Sequence, residues 1–471
     1  MVVGEVILET DIAVLGGGPG GYTAAIHAAD LGKDVILIEK SPDFGGVCLT
    51  EGCIPSKTLI NAVQIKEATE AAGDMGLAFG PAALDLDKLR DWIKTVVTSL
   101  SGGIGKLLEN REIDVVHGIG RFLDDHRIYV EGTNTIVKFK HAVIATGSRI
   151  NELPGDIKAP VWTSKTALTL PEIPGTLLVI GGGYIGLEIG QAYAGLGSRV
   201  TLVEFSPRLL AGADPDLVKP VLKKCNDRFE TIYTESRVTQ IEQIESGFYV
   251  TLETAGKTLS LNFDQVLAAT GRLPNTDDIG LELAGLSADD KGLIPTDDTC
   301  RTRRDHIFAV GDVTQGPALA HKAAREGKVA VEVIAGKPSA FDNVTVPAVL
   351  FTHPEIAWTG MTETAAKEKN ISYKKGVFPL TALGRAKSTG KTTGFVKILS
   401  DPESELILGM GIVGEHASEL ISEGNLAIEM GACLEDLIVS IHPHPTFSES
   451  IMEAAEMAKE GSVHLFNPKL S

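Results

Sequence analysis

Within residues 11–40, apolar positions form two short runs, "IAVL" and "VILI", separated by a glycine turn and a stretch of helical periodicity. Residues 176–205 repeat this order with "LLVI" and "VTLV". Each segment predicts a strand, a glycine turn, a helix and a second strand closed by a glutamate. After each comes a similar strand-to-turn segment, "HAVIATGSR" at 141–149 and "QVLAATGRLPN" at 265–275, which suggests chain crossings at two domain boundaries. Residues 306–336 predict a strand, a Gly-Asp turn and a long helix. From about Val346 the pattern changes. "GFVKILSDPESELILGMGIVG" has strand-like runs around a turn at 401–403, and "ASELISEGNLAIEMGA" and "FSESIMEAAEMAKEG" space their apolar residues as helices. The pattern predicts an α/β chain with two Rossmann-like dinucleotide-binding domains and a C-terminal α+β domain. The segments run 1–150, 151–275, 276–345 and 346–471.

Composition adjusts this picture little. The chain has 471 residues, room for about three domains. With 43 basic and 62 acidic side chains its net charge is −19, which disfavours nucleic acid and anionic membrane as partners. No apolar run is long enough to span a bilayer. The segment "MVVGEVILETDIAVLGGG" has no basic n-region and no small-residue cleavage site, so no signal peptide is expected. Five cysteines, an odd and low number, fit a reducing cytoplasm. Cys225, Cys300 and Cys433 are isolated and are expected to be inert thiols.

The glycines carry the first chemistry. Gly16, Gly18 and Gly21, and again Gly181, Gly183 and Gly186, fit GxGxxG. The first glycine makes a tight turn, the second lets a pyrophosphate approach the backbone, and the third lets helix and strand pack closely. Phosphates then lie at a helix N-terminus, where free N–H groups favour negative charge. Glu39 and Glu204 each follow the first glycine of their copy by 23 residues, the position of a ribose-binding acid. Two such sites suggest two cofactors that exchange electrons. Glu204 repels a 2′-phosphate and so favours NAD over NADP in the second site, although Arg208 lies nearby.

The second chemistry is the pair Cys48 and Cys53 in "GGVCLTEGCIPSK". In a regular helix five residues rise about 7.5 Å, beyond the roughly 4.4–6.8 Å that a disulfide allows between Cα atoms. Gly52 and Pro55 permit the segment to break and restart, with Pro55 suited to a first helical turn. A bridge over so short a loop would stabilise little. Zinc would need two more ligands. A redox pair, unrelated thiols and half a metal site all remain open from spacing alone. The third constellation is "HPHPTFSES". Prolines 443 and 445 keep His442 and His444 out of a helix and presented. Thr446 and Glu449 fit a capping box, while His444 with Glu449 also fits a general base and the acid that orients it. Asp312 reads equally as a helix-start carboxylate.

Taken in order, "GGVCLTEGCIPSK", the two glycine units, "ATGRLPN", "AVGDVTQGPALAHKA" and "HPHPTFSE" resemble the dihydrolipoamide dehydrogenase family, a branch of the class I flavin disulfide reductases. The resemblance spans essentially the whole chain. It implies non-covalent FAD in the first site, NAD in the second, and a C-terminal interface domain in a homodimer. The FAD domain would be 1–150 with 276–345, the NAD domain 151–275 and the interface domain 346–471. It further implies that Cys48 exchanges with the substrate disulfide and that Cys53 faces the flavin. Lys57 would stand beside the flavin with Glu188 as its ion-pair partner. Glu39 would bind the FAD ribose and Asp312 the ribitol. His444 would be the catalytic base, held by Glu449 and acting on the other subunit. Thr146, Gly147, Gly271, Arg272 and Gly311 in the strand-to-turn segments are expected to contact cofactor. The activity implied is NAD-dependent oxidation of dihydrolipoamide, with lipoyl domains of a 2-oxo acid dehydrogenase complex or a glycine cleavage system as partners. The chain departs from the family at Thr50, where asparagine is usual. Glutathione reductase is a competing relative, but Glu204 and "HPHPTFSE" count against it. Mercuric reductase would need a C-terminal cysteine pair, which "EGSVHLFNPKLS" lacks. A flavoprotein retained mainly for docking is a further alternative.

Overall fold

A computed structural model describes residues 6–80, 82–153, 157 and 159–466. It contains two compact units, one of Met1–Glu152, Thr163–Glu172 and Thr270–Asp342, the other of Leu153–Trp162, Ile173–Ala269 and Asn343–Ser471.

In the first unit, strand β1 (Val6–Leu15), helix α1 (Pro19–Asp30) and strand β2 (Val35–Glu39) form the expected βαβ. β1 lies parallel to both β2 and the strand Thr135–Ile144. That strand divides its outer edge. Its first half pairs antiparallel with Arg127–Glu131, and its last three residues pair parallel with Ile307–Ala309. The apolar runs are continuous because both faces are covered. Ile12 and Val14 pack with Ala24, Ala25 and Ala28 of α1, while Ala13 and Leu15 pack with Phe122, Ile128 and Val130. Leu15 stands beside Ile38 and Ile144, and Ile144 beside Ala309. The segments that follow these strands therefore emerge at one edge, the place where open α/β sheets bind ligands. The two ATG segments lead into strands that pair with each other. Ser148–Ile150 pairs antiparallel with Arg272–Pro274.

In the second unit, Thr176–Ile180 lies parallel to Arg199–Val203 and Gln265–Ala268. Three further strands, Ser236–Ile244, Gly247–Thr254 and Lys257–Phe263, form an antiparallel meander. Val238, Val250 and Leu252 of this meander join a core with Leu178 and Val203. Residues from Ala348 onward form a five-stranded sheet. Its strands Phe395–Ser400 and Ile407–Gly414 are antiparallel, around the turn anticipated at 401–403. The helices Ala417–Glu429 and Glu449–Lys459 contribute Ile421, Ile451 and Ala454 to its core. The α/β class with two dinucleotide-binding folds and a C-terminal α+β part is thus what the chain adopts. Among the described residues, no helix is long and apolar enough to cross a membrane.

Candidate active site

Both glycine turns form as expected. Gly16 has φ +100°, and a Cβ there would lie 2.3 Å from Ala145 O; one on Gly21 would lie 1.7 Å from Gly16 O. Gly181 has φ +111°, and a Cβ on Gly186 would lie 2.0 Å from Gly181 O. The middle glycines differ. A Cβ on Gly18 would reach only Gly46 Cα at 3.9 Å, and one on Gly183 would meet nothing within 4 Å. The protein itself does not need glycine at these two positions. What needs the space comes from outside, as a pyrophosphate would. Gly18 and Gly183 are also the N-caps of their helices and offer no side-chain cap, so the first-turn N–H groups are left for an anion. The residues present therefore fit two dinucleotides.

The two acids do the same thing in each copy. Glu39 accepts hydrogen bonds from Gly17 N (2.5 Å) and Ser41 N (2.8 Å). Glu204 accepts them from Gly182 N and Ser206 N, both at 2.6 Å. Gly17, Ser41, Gly182 and Ser206 were not singled out by the sequence reading, although their fixed offset from each acid was visible. Arg208 donates to Ala211 O at 3.0 Å. Glu188 is buried and accepts from Phe351 N at 2.9 Å.

At the same edge of the first sheet, Asp312 occupies a short turn, Gly311–Val313, well ahead of the long helix Ala320–Ile334. The helix-start reading of Asp312 is thus corrected only for the long helix, since Gly311–Val313 is itself a single 3₁₀ turn with Asp312 in it. Its carboxylate accepts the Ser148 hydroxyl at 2.5 Å, and Arg272 donates to the same hydroxyl at 2.8 Å and to Ser148 O at 2.6 Å. Thr146 and Asn275 exchange two bonds, at 2.7 and 2.9 Å, which lock the turns at Gly147 and Gly271 together.

The redox segment breaks where glycine and proline allow. Cys48 lies in the short helix α2 (Gly46–Thr50), and Cys53 opens α3 (Cys53–Ala71) with Pro55 in its first turn. Both are free thiols, with sulfurs 2.6 Å apart. The hydrogen bond to Cys53 and then burial push the Cys48 thiol up; Lys57 pulls it down and Asp312 adds to the rise. Cys53 stands at the positive end of a 19-residue helix, where the dipole favours negative charge. The other thiols differ. Burial pushes Cys225 up to about 11 and Cys300 up to about 12.

In the second unit, His444 Nδ1 bonds Glu449 Oε1 at 2.8 Å, and the imidazole is 77% exposed. Nε2 is left as the nitrogen that can exchange a proton. Glu449 Oε2 accepts Thr446 N at 2.8 Å. Burial would raise the Glu449 carboxyl, but these bonds hold it below its ordinary value. The capping-box reading is corrected in one respect. The helix starts at Glu449 after Ser448, so Glu449 is its first residue rather than its third. His442 is also corrected, since it is not presented. Its nitrogens bond Ser440 O (2.9 Å) and Glu423 Oε1 (2.8 Å).

Glycine turns that leave room for two dinucleotides, an adjacent thiol pair and a carboxylate-held imidazole agree with what related chains show. The family model described as pyridine nucleotide-disulphide oxidoreductase matches residues 10–327, and its dimerisation domain matches residues 346–455. The chain belongs to the pyridine nucleotide-disulphide oxidoreductases. Proteins named dihydrolipoyl dehydrogenase from Bacillus subtilis (strain 168) and Geobacillus stearothermophilus are each 43% identical over 99% of this chain, covering 100% and 99% of their own lengths. One from Haloferax volcanii is 44% identical over 99% of this chain and 100% of its own. Among solved structures, LpdA from Mycobacterium tuberculosis matches 95% of this chain and 99% of its own with a TM-score of 0.87 at 28% identity. The HOCl-induced flavoprotein disulfide reductase RclA from Escherichia coli covers 95% of this chain and 100% of its own with a TM-score of 0.85, also at 28% identity.

Two buried charge clusters of this oxidoreductase escaped the sequence reading. Glu326 accepts Gly311 N at 2.7 Å and pairs with Lys322 at 2.7 Å, so a buried ion pair holds the turn that carries Asp312. Burial raises the Glu326 carboxyl, and Lys322 opposes the rise. Lys397, 2% exposed, lies among Asp214 (2.9 Å), Asp216 (2.7 Å) and Glu363 (3.0 Å). The three carboxylates are spaced like metal ligands, but the ammonium fills their centre. Lys322 and Glu326 are four apart on one helix, a spacing that does not announce burial, and the partners of Lys397 come from separate elements.

Proposed function

We propose that the chain is a dihydrolipoyl dehydrogenase that oxidises protein-bound dihydrolipoamide through Cys48 and Cys53 and passes the electrons to NAD. The observation that carries this reading is the thiol pair at a helix break, with sulfurs 2.6 Å apart and Cys53 opening a 19-residue helix, in a chain 43% identical over 99% of its length to a protein of that name. Non-covalent FAD would be held by Gly16, Gly18, Gly21, Glu39, Thr146, Gly147, Gly311 and Asp312, with Lys57 beside it and Glu188 as the partner of Lys57. NAD would be held by Gly181, Gly183, Gly186 and Glu204, and Gly271 and Arg272 complete the cofactor-binding set. Bound flavin supplies the two-electron relay between thiols and nicotinamide.

The chain's own residues do the rest. His444 takes the proton from one dihydrolipoamide thiol at Nε2, and Glu449 fixes the tautomer through Nδ1 and steadies the imidazolium. The substrate thiolate attacks Cys48 Sγ of the oxidised pair. The S–S bond to Cys53 breaks, and Cys53 leaves as thiolate. The second substrate thiol gives up its proton as its sulfur attacks the first, the bond to Cys48 breaks, Cys48 leaves as a thiol with that proton, and lipoamide departs. Two electrons now reside on the cysteine pair.

The functional form is a homodimer, with the base supplied by the second copy. The matched dimerisation domain supports this, as do Ile441, Val463 and Met430 in the C-terminal part, 97, 87 and 75% exposed. Two-fold symmetry would make two equivalent composite sites. The reading takes residues 1–150 and 276–345 as the FAD domain, 151–275 as the NAD domain and 346–471 as the interface domain. Lipoyl domains of a 2-oxo acid dehydrogenase complex or a glycine cleavage system are the partners, and the cytoplasm, where thiols stay reduced, is the compartment. Turnover of purified protein tests the reading. Dihydrolipoamide with NAD should be the productive pair, and a preference for glutathione disulfide with NADPH would overturn it.

A further inference from the structure

Two groups of side chains among the described residues have the spacing of metal ligands. In one, Asp214, Asp216 and Glu363 surround the Lys397 ammonium. The other is Asp125, His126 and His306, in the first unit. Most imidazoles that meet a carboxylate in this chain do so singly: His27 with Glu332, His442 with Glu423, His444 with Glu449 and His464 with Glu453. Here two rings and a carboxylate converge. Asp125 and His126 are the turn between the antiparallel strands Ile119–Asp124 and Arg127–Glu131. His306 leads into the strand Ile307–Ala309, and its carbonyl accepts Ala142 N at 3.0 Å. The two rings stack with centroids 4.3 Å apart and planes 10° from parallel. Each has one nitrogen against a backbone carbonyl, His306 Nε2 at 2.7 Å from Asp125 O and His126 Nδ1 at 3.1 Å from Phe139 O. A carbonyl only accepts, so both of these nitrogens donate, and each neutral ring presents its lone pair at the other nitrogen. An N–H held by a backbone carbonyl is the usual outer support of a metal-ligating histidine. Nearby carboxylates are taken up by cations: Asp124 by Arg127 (2.6 Å), Asp11 by Lys140 (2.7 Å) and Glu9 by Lys138 (3.2 Å). Among the described residues no lysine or arginine is paired with Asp125.

We propose that Asp125, His126 and His306 bind one divalent transition-metal ion of the zinc type, with water in the fourth position. One ligand atom from each residue lies within 4.8 Å of the others. A tetrahedral ion with bonds of about 2.0–2.1 Å spaces its ligands about 3.3 Å apart. Rotation of the exposed His126 ring and of the Asp125 side chain closes that difference. A surface cavity of about 670 Å³, to which Asp125 and His126 contribute, gives the ion a way in. Two imidazole nitrogens and one carboxylate oxygen suit zinc, nickel or copper; calcium and magnesium seek oxygen ligands. The site stands apart from the thiols and the glycine turns. His306 is at the start of a three-residue strand, about 10 Å long, whose far end leads to Gly311 and Asp312. The ion ties the turn at 125–126 to that strand. No step of the reaction passes through it, and the proposal does not depend on the activity assigned to the thiols.

The probe is zinc chloride, and the protein is the full chain with Cys48 and Cys53 oxidised to a disulfide, so that the thiols take up no metal. After chelator treatment and equilibrium dialysis, wild type should hold one zinc ion per chain at this site. His126→Ala should weaken that binding by at least about 100-fold and Asp125→Asn by at least about 10-fold, against the roughly 10–100-fold cost of losing an outer partner. His464→Gln, which alters a single-ring pair, should bind as wild type does. Excess magnesium should not displace the zinc. Zinc should also raise the unfolding temperature of wild type, by mass action on the folded state, and leave that of His126→Ala unchanged. Circular dichroism reports the folding of each variant. Should His306→Ala unfold, the exposed His126 and the turn residue Asp125 carry the comparison. A wild type that takes up no zinc would overturn the proposal. So would equal uptake by wild type, His126→Ala and Asp125→Asn, which would mark adventitious binding elsewhere on an acidic surface.

Discussion

The glycine turns at 16–21 and 181–186 share one atomic plan and then diverge. Gly16 N donates to Ile38 O and Gly181 N to Val203 O, both at 2.8 Å. Each acid holds the N–H of the glycine next after the first, Gly17 or Gly182, and of a serine two residues after the acid. Six residues after each acid, a backbone N–H closes onto the carbonyl of that same glycine: Gly45 N to Gly17 O (2.9 Å) and Leu210 N to Gly182 O (3.1 Å). Here the copies part. The first continues through Gly45 and Gly46, and a Cβ on Gly46 would lie 2.7 Å from Gly18 Cα, so the chain passes close over the phosphate turn and enters the helix that carries Cys48. The second takes Leu210 through the same closing bond, with φ +50°, and reaches Asp214, which binds Lys397. One frame thus places a reactive thiol while the other places a structural ion pair. The chemistry lies in the segment after the shared frame.

Three substitutions at the divergent segment and the imidazole sharpen this contrast most. Cys48→Ser and Cys53→Ser should each cut dihydrolipoamide turnover by at least about 10³-fold, as expected for a group that acts as part of a unit. Their spectra should differ. Cys53→Ser should lose the long-wavelength thiolate–flavin band on reduction, whereas Cys48→Ser should show it without reductant. Identical spectra would contradict the unequal roles of the pair. His444→Gln should cost roughly 10²-fold in turnover, the scale of a lost general base, with little change in flavin reduction by NADH. A mixed dimer of one His444→Gln subunit and one Cys48→Ser subunit should recover about half the activity, because one of its two symmetric sites is intact if the base acts across the interface. A dead heterodimer would place the base in its own subunit.

The shared part of the frame should respond in parallel but through different cofactors. Gly183→Ala meets no atom in the protein, so it should leave fold and flavin intact and raise KM for NAD about 10-fold, roughly the loss of a phosphate contact. Gly18→Ala should instead lower flavin retention. If neither binding constant moved, the open space at these glycines would have another cause.

These contrasts also show what the residues alone could tell. The glycine spacing, the acids, the thiol pair and the His444–Glu449 pair were legible because each is local, a fixed offset set by a turn or a helix. The meander at 236–263 was missed. Its polar and apolar residues alternate imperfectly, and a register shift between Val238 and Gln240 breaks the period. The capping box misled by two residues, because the Glu449 carboxylate reaches back to Thr446 N as in a box while the helix begins only at Glu449. His464 with Glu453 and Lys397 with Asp214 left no trace, and Lys322 with Glu326 gave only an i,i+4 spacing that does not announce burial. Each is made by burial, and Lys397 and Asp214 are 183 residues apart. A lone lysine in a strand pattern gives no sign that three carboxylates will surround it.

The smallest expected effect on turnover, and a clear one on stability, belongs to Asp214. Burial would raise its carboxyl, but the Lys397 ammonium and the Glu363 and Thr364 N–H groups hold it down to about 2. A carboxyl depressed on folding stabilises the folded state above its unfolded value, and that contribution fades as pH falls through the folded one. The contribution is therefore complete above about pH 4 and disappears toward pH 2; a shift of this size corresponds to about 2 kcal/mol. Asp214→Asn should lower the urea midpoint of the second unit's unfolding, with kcat near wild type, since no cofactor or substrate role falls on this residue. The gap between wild type and variant should stay constant from about pH 7 to about 4.5 and narrow only below that. A gap that already narrowed between pH 7 and 5 would mean that a group of higher pKa carries the effect. The segment after the second glycine frame would then be held by something other than the Asp214–Lys397 pair.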